Sequence, residues 1–358
     1  MQKKVAIIIS PNFRDHAQKY LHDCIESLRR QDWNGEKKIF ITDNQTTTDS
    51  YSFLKKTAPE AEIIRNENND GFAKGNNKAI RLALAQGFDY IFLVNMDTVV
   101  ATDCVTHLVE TAEGDAAIGA VQARLMLWPE KDKINSLGNV THFLGFGYCE
   151  GYGEEFSIAH LQSAKCICYP SGAASLYKRE ILERIGLFDE EFWMYNEDQD
   201  LGWRTWLAGS QCVLAPTAVV YHKYVFTKNT EKYYLLDRNR ILTMIKNYHI
   251  ATLLLISFAF VVMEFGVLLF AFQKGWLREK LNVYGYFLSF KNWRYILRAR
   301  DATQALRKVK DRDIVEMFSG RIWYEEIGDW KLGLVNHLLN AYWYVIKLIL
   351  IGKPGAIH

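Results

Sequence analysis

Short apolar runs alternate with amphipathic stretches along the first hundred residues. The apolar runs are 5–9, 38–42, 62–64 and 90–94, and the stretches with helical periodicity between them are 15–30, 50–56 and 73–86. Strands that are apolar on both faces and alternate with helices indicate a parallel sheet covered on both sides. We therefore predict an α/β domain with a Rossmann-like, mostly parallel sheet and helices on both of its faces.

The last 130 residues follow a different pattern. Residues 250–272 are apolar apart from one charge, Glu264, and residues 332–351 form a second apolar segment. Between them, residues 274–312 contain eleven basic and three acidic side chains. The pattern predicts a domain over 1–225, followed by a mainly α-helical region over 226–358.

The first of these apolar segments is long enough to span a bilayer, which takes ~20 residues. The basic segment that follows it is expected to stay on the cytoplasmic side, however, as is the first domain. A single span would place these two flanks on opposite sides of the membrane. We therefore expect helices that lie in or dip into one leaflet. The alternative is a helical subdomain that packs on the first domain, or an oligomer contact.

Charge separates the two parts further. Residues 1–225 carry 23 basic and 30 acidic side chains, whereas residues 226–358 carry 20 basic and 11 acidic ones. The acidic first part argues against nucleic acid as a partner, and the basic, apolar second part favours anionic lipid headgroups.

Six scattered cysteines indicate a reducing compartment. The apolar run at 5–9 is too short for a signal-peptide core, which predicts a cytoplasmic location for the first part.

Polar residues follow each predicted strand of the first domain. These positions are 10–13, 43–46, 66 and 95–98. One such position alone is typical of a helix cap or a turn. Ligands of parallel sheets bind beyond the carboxyl ends of the strands, so four positions together predict a binding site. Because no glycine-rich phosphate loop follows the first strand, the phosphates of a bound nucleotide would need a divalent metal, Mg²⁺ or Mn²⁺.

Three further features carry candidate chemistry. Asn95 and Asp97 follow the fourth predicted strand, and their oxygen atoms suit a hard cation. Glu197 and Asp198 form either a solvated helix start or a general base near an aromatic wall. His222 ends another apolar run and is either structural or a further metal ligand.

With these pieces the sequence resembles the inverting family-2 glycosyltransferases of the GT-A fold, and within them the rhamnosyltransferase-like branch. The matching segments, in the family's order, are 43–44, 69–77, 95–97, 170–174, 186–204 and 221–222. The resemblance covers residues 1 to about 225. Its main departure is Asn95, where many members of the family carry Asp.

The resemblance implies a role for each matching position. Asp97 and His222 would bind the metal, Asp198 would be the catalytic base with Glu197 beside it, and Asp43 would accept the ring N–H of uracil or thymine. Gly71 would permit close approach of the backbone. We place eight residues in the nucleotide site: Pro11, Asn12, Asp43, Asn69, Gly71, Asn77, Asn95 and Met96. We place six in donor or acceptor binding: Gly172, Trp193, Tyr195, Arg204, Arg238 and Arg240.

The expected function is transfer of a sugar from a dTDP- or UDP-sugar, with dTDP-rhamnose as one candidate, to a hydroxyl of a lipid-linked or cell-surface glycan. The expected place is the cytoplasmic face of the cell membrane, as a peripheral or monotopic protein. The alternatives are a polyprenyl-phosphate or protein acceptor, or a catalytically silent scaffold subunit that binds nucleotide sugars.

Overall fold

The computed structural model describes residues 2–157, 164–224, 230–323 and 330–351. The strands are β1 (Lys4–Asn12), β2 (Glu36–Asn44), β3 (Glu62–Asn66), β4 (Tyr90–Val94), β5 (Thr98–Val100), β6 (Ile118–Leu127), β7 (Ile134–Ser136), β8 (Asn139–Thr141), β9 (Gly147–Cys149), β10 (Lys165–Cys166), β11 (Ala174–Lys178) and β12 (Gln211–His222). The helices are α1 (His22–Arg29), α2 (Thr48–Thr57), α3 (Gly71–Ala85), α4 (Cys104–Glu113), α5 (Arg179–Ile185), α6 (Glu197–Leu207), α7 (Thr230–Asn247), α8 (Ile250–Lys274), α9 (Leu277–Leu288), α10 (Phe290–Ala305) and α11 (Trp330–Ile351).

The chain divides into two compact units. The first comprises Met1–Asn139, Cys149–Thr205 and Ser210–Phe226. The second comprises Val140–Tyr148, Trp206–Gly209 and Thr227–His358. Two short segments that the sequence places in the first domain therefore group with the helical unit.

The first unit is built on one mixed sheet. Along its main path the strand order is β10-β12-β6-β11-β4-β1-β2-β3, with β5 beside β12 and β7 beside β6. The strands β3, β2, β1 and β4 are parallel, as the alternating pattern predicts. In the other half β11 is antiparallel to both β4 and β6, whereas β12 is parallel to β6, so the sheet is mixed and the prediction of a mostly parallel sheet holds only in part. No described helix joins β6 to β11, so the helical crossover that parallel neighbours require is missing there.

Helices cover both faces of this sheet. Val5, Ile7 and Ile9 of β1 share a core cluster with side chains of α1, α2 and α4. The alternate residues Ala6 and Ile8 are equally buried on the other face, and α3 packs against β1 and β2. Both faces of β1 are therefore covered by helices.

The second unit is mainly helical. Its helix α8 is the one helix in the described part of the chain that is long and apolar enough to cross a membrane. Phe143 stacks on Trp343 of α11, and the Tyr248 hydroxyl donates to the Phe143 carbonyl oxygen. These contacts show how the short segment Val140–Tyr148 packs inside the helical unit.

Candidate active site

The pairing of β5 with β12 brings Asp97 and His222 together. His222 lies opposite Thr98 in this antiparallel pair, so the residue before Thr98 comes next to the histidine. His222 Nε2 lies 3.3 Å from Asp97 Oδ1. Burial raises the pKa of Asp97, but the hydrogen bond and charge of His222 outweigh this effect, and the pKa lies below its ordinary value.

A residue that the sequence analysis missed orients His222. Its Nδ1 lies 2.9 Å from Asn135 Oδ1, and because an amide oxygen only accepts, Nδ1 carries the proton. Nε2, which faces Asp97, is then the nitrogen that would hold a cation in place of its proton. Histidines that bind metals commonly have their second nitrogen held in this way. Asn135 gave no sequence signal, because it reaches His222 only through the pairing of β7 with β6 and of β6 with β12.

This pair fits one divalent cation with an open coordination sphere. Neighbouring ligands of an octahedral ion with bonds of ~2.1 Å lie about 3 Å apart, close to the observed separation. No group of three or more His, Cys, Asp or Glu side chains with metal-binding geometry occurs among the described residues. Two protein ligands are few, but Mg²⁺ commonly binds through one or two carboxylates together with substrate phosphates and waters.

Glu197 and Asp198 begin α6, with Glu197 buried and Asp198 half-buried. The Asp198 carboxylate accepts N–H groups from Gly172 (3.1 Å) and from Gln199 (2.8 Å). Burial nevertheless raises the pKa of Asp198 to about 6. Burial first, and then the charge of Asp198, raise the pKa of Glu197 well above its usual value. Its Oε2 is buried without a hydrogen-bond partner in the described part of the chain.

One short segment joins this carboxyl pair to the Asp97 region. Gly172 donates its N–H to Asp198, and the next residue, Ala173, accepts the N–H of Asn95 at 3.0 Å. A side chain at position 172 would press on Phe72 at 3.0 Å and approach the Asp198 carboxylate. The predicted base and the predicted metal ligands therefore lie at the same end of the sheet.

The loop before α6 is strained and anchored. Trp193, Tyr195 and Asn196 have φ angles of 59°, 72° and 63°, in the region that normally favours glycine. The Trp193 carbonyl oxygen accepts the N–H groups of Phe72 (2.8 Å) and Ala73 (3.1 Å). It therefore caps the first turn of α3 in place of a side chain. Such strain clusters at functional sites.

Gly71 is required by Trp193. A Cβ at position 71 would lie 2.5 Å from the Trp193 carbonyl oxygen and 2.6 Å from its Cδ1, and the φ of Gly71 is +67°. The group that closely approaches the Gly71 backbone is therefore Trp193, through its indole ring and its carbonyl oxygen. Asn69 supports the same turn, because its Oδ1 accepts the Gly71 N–H and its carbonyl oxygen lies 3.4 Å from the indole nitrogen of Trp193.

Replacing Gly71 with alanine is expected to destabilise the protein by about 2–4 kcal/mol and to lower turnover, because Trp193 and the loop that leads to Asp198 must shift. Gly87→Ala is the matched control, since Gly87 has a φ of +82° with nothing within 4 Å of the added carbon. Urea unfolding and transfer rates measure both effects. Equal losses in the two variants would show that Trp193 imposes no constraint.

The other expected nucleotide residues form a buried polar network. Asp43 is fully buried, and its Oδ1 accepts from Asn12 Nδ2 (2.8 Å) and Thr46 Oγ1 (2.6 Å). Arg65 is exposed, and its Nε lies 3.8 Å from Asp43 Oδ2. Pro11 packs on Gly75, where a Cβ would lie 2.6 Å from the proline ring. This network fixes the carboxyl ends of β1 and β2.

Asn95, Met96 and Asn77 have different surroundings. The Asn95 Oδ1 is buried with no partner among the described residues, and the Met96 N–H donates to Ser10 Oγ at 3.0 Å. Asn77 holds the Phe188 backbone by hydrogen bonds to its N–H and its carbonyl oxygen. It therefore fastens α3 to the turn before α6.

The three arginines predicted to bind the donor or acceptor, Arg204, Arg238 and Arg240, bond to groups of the protein itself. Arg204 bonds to Asp200 and to the Ile185 and Leu187 carbonyl oxygens, and to neither carboxyl of the 197–198 pair. In the second unit, Arg238 bonds to Asn239 Oδ1 and lies over the rings of Tyr234 and Tyr286. Arg240 is fully buried and ion-paired with Asp237 and Glu264. We therefore leave Arg204 and Arg240 out of the proposed substrate contacts.

The mixed sheet, with helices on both faces, is consistent with the GT-A fold. The model of the family described as glycosyl transferase family 2 matches residues 7–186, about half of the chain. The chain belongs to this family.

Relatives are distant. An N-acetylglucosaminyltransferase of Bradyrhizobium diazoefficiens is 25% identical over 59% of this chain and 43% of its own length. An N-acetylglucosaminyl-diphospho-decaprenol L-rhamnosyltransferase of Mycobacterium tuberculosis is 24% identical over 61% of this chain and 74% of its own. The chain thus spans less than half the length of the first of these relatives.

Solved structures show the same fold. TarS residues 1–349 of S. aureus, in complex with UDP, align over 98% of this chain and 90% of their own, with a TM-score of 0.50 and 15% identity. GalNAc-T7 with UDP, GalNAc and Mn²⁺ aligns over 69% of this chain and 48% of its own, with a TM-score of 0.52 and 12% identity.

Proposed function

We propose that this protein is an inverting, metal-dependent glycosyltransferase that moves a sugar from a dTDP- or UDP-sugar to a hydroxyl of a lipid-linked glycan. The observation that carries the proposal is the segment Gly172–Ala173, which ties the Asp198 carboxylate to the strand end that bears Asp97. The names of the relatives support the donor and acceptor classes: one names a diphospho-decaprenol acceptor, and two structures hold UDP.

Asp198 is the base in this proposal. Its carboxylate takes the proton of the acceptor hydroxyl, and that oxygen attacks the anomeric carbon on the face opposite the nucleotide. The bond from the anomeric carbon to the diphosphate oxygen breaks, and its electron pair leaves with the nucleoside diphosphate. Configuration inverts because one displacement occurs without a covalent enzyme intermediate. A pKa of about 6 keeps Asp198 mostly ionised at neutral pH and more basic than an ordinary aspartate.

Asp97 and His222 would hold the divalent cation. When bound, such an ion supplies positive charge beside the departing diphosphate. Asn135 keeps the His222 ring in the tautomer that presents Nε2 to this position. Burial first, and then the charge of Asp198, raise the pKa of Glu197, which favours the neutral form of this carboxyl beside the base.

The test is release of nucleoside diphosphate from UDP- and dTDP-sugars by the full-length protein, with Mn²⁺, with Mg²⁺ and with EDTA. Membrane lipid extract supplies the acceptor, and NMR gives the anomeric configuration of the product. We expect one donor to be consumed, only with a divalent ion and only with extract. Retained configuration, or equal turnover in EDTA, would contradict the proposal.

The second unit supplies the proposed contact with the membrane. Leu254 (68% exposed), Phe258 (70%), Phe265 (65%) and Phe272 (70%) lie along one face of α8. Leu288 and Phe290 are exposed at 82% and 92%, and the exposed Lys291, Arg294 and Arg298 follow them in α10. An apolar face near basic residues suits an anionic lipid surface. We place the protein on the cytoplasmic face of the membrane, where nucleotide sugars are made.

A charged residue near the middle of α8 favours an orientation of this helix along the membrane. Glu264, near its middle, bonds to Arg240 of α7 and Lys280 of α9, and both of these also bond to Asp237. A spanning α8 would bring these four paired charges to the centre of the bilayer, where ionised groups are costly. With its outer face in one leaflet, the helix keeps them inside the protein.

The double variant Phe265→Glu/Leu269→Glu is expected to lose at least 90% of its binding to phosphatidylglycerol vesicles in flotation, because it places charge on the lipid-facing side. Gln18→Glu, at an exposed position of the first unit, is the control and should float like the wild type. Unchanged flotation of the double variant would contradict the membrane face. A shift from dimer to monomer in light scattering would instead assign the face to a second copy of the chain.

A further inference from the structure

An arginine near the active-site end of the sheet has no counter-ion in the described residues. The Arg124 side chain projects from β6, and its Nε and Nη1 are buried without a hydrogen-bond acceptor in the described parts of the chain. Its guanidinium carbon lies 3.9 Å from the centre of the Phe156 ring. Burial lowers the pKa of Arg124, and the charge of Tyr221 opposes this effect. A half-buried cation without a carboxylate partner is costly.

The register of the sheet gives the position of Arg124. Gln122 lies opposite Ser175 in the antiparallel pair of β6 and β11, so position 124 is level with Ala173. Side chains alternate along a strand, so Gln122 and Arg124 project from the same face. Gln122 Oε1 accepts the N–H of Ser171 at 2.8 Å. Arg124 therefore lies beside the segment that joins the Asp198 carboxylate to Asn95.

A guanidinium has five N–H donors in a planar fork that matches phosphate oxygens. We propose that Arg124 binds a phosphate group of a diphosphate substrate at the active-site end of β6. This inference rests on the proposed function, which supplies two sources of that chemistry. One is the diphosphate of the nucleotide sugar, and the other is the diphosphate of a polyprenyl-linked acceptor.

Three probes distinguish the sources: UDP, inorganic pyrophosphate and farnesyl diphosphate, each titrated calorimetrically into the full-length protein with Mn²⁺. Arg124→Gln is expected to raise the Kd of inorganic pyrophosphate at least tenfold, and Arg124→Lys is expected to raise it less. A matching increase for UDP assigns Arg124 to the donor, whereas an increase for farnesyl diphosphate assigns it to the acceptor. Lys131→Gln is the control, since Lys131 is an exposed cation over the Trp128 and Tyr221 rings.

Unchanged affinity of Arg124→Gln for all three probes would overturn the proposal. Equal losses in Arg124→Gln and Lys131→Gln would also overturn it, because they would report general charge. If Arg124→Gln fails to fold, the ¹⁵N shift of Arg124 Nε in the wild-type protein replaces it, and it must move on addition of pyrophosphate. The binding titrations need no turnover. A negative titration therefore does not contradict the donor assay, and a negative donor assay does not contradict the titrations.

Discussion

Replacing Asp198 with asparagine is expected to lower the rate of sugar transfer about 10³-fold, because the acceptor hydroxyl loses the group that takes its proton. The affinity for the nucleoside diphosphate is expected to stay within twofold, since the side chain keeps its shape. The amide oxygen can still accept one of the two backbone N–H groups, from Gly172 and Gln199, that the carboxylate accepts now. Initial rates and calorimetric titration with UDP or dTDP measure the two quantities.

The neighbouring carboxyl is the matched control. Glu197 is buried and has a pKa well above its usual value, so glutamine imitates its neutral form. Glu197→Gln is therefore expected to lose less than tenfold in rate. Similar losses in the two variants would remove the distinction between a base and its neutral neighbour.

The pH profile gives a second check: because ionised Asp198 is the active form, kcat/KM should fall below pH about 6 and level off above it.

Replacing His222 with alanine is expected to remove the stimulation by divalent cations and to lower the rate at least 100-fold, because Asp97 alone is then left to hold the ion. Asn135→Ala leaves both ligands in place and releases only the histidine ring. We expect this variant to need 10–100 times more Mn²⁺ and to recover its rate at high Mn²⁺. Full activity of His222→Ala in limiting Mn²⁺ would contradict the assigned ligand.

Local patterns were enough to predict the parallel half of the sheet. Strand β4 lies at Tyr90–Val94, as the apolar run predicts, and Asn95 follows it. His222 ends β12, as the strand-like run before it predicts. Both features depend on alternation of apolar residues and on polar residues at strand ends, which are readable along the chain. The family resemblance was confirmed by the family model over residues 7–186.

The remaining features depend on contacts between residues far apart in sequence. Asn135 and Arg124 gave no signal, because their positions follow from the pairing of β6 with β7, β11 and β12. The steric constraint on Gly71 comes from Trp193, more than a hundred residues away, and could not be read from the local sequence. Burial of Arg204 and Arg240 likewise follows from packing, whereas the sequence shows only charge.

A crystal structure of the protein with Mn²⁺ and the nucleoside diphosphate of its donor tests the central claim most directly. Anomalous scattering would locate the ion, which is expected within ~2.0–2.3 Å of both an Asp97 carboxylate oxygen and His222 Nε2. The diphosphate should bridge to this ion, with the Asp198 carboxylate facing the same pocket. A diphosphate bound elsewhere, or an ion that contacts neither Asp97 nor His222, would contradict the account.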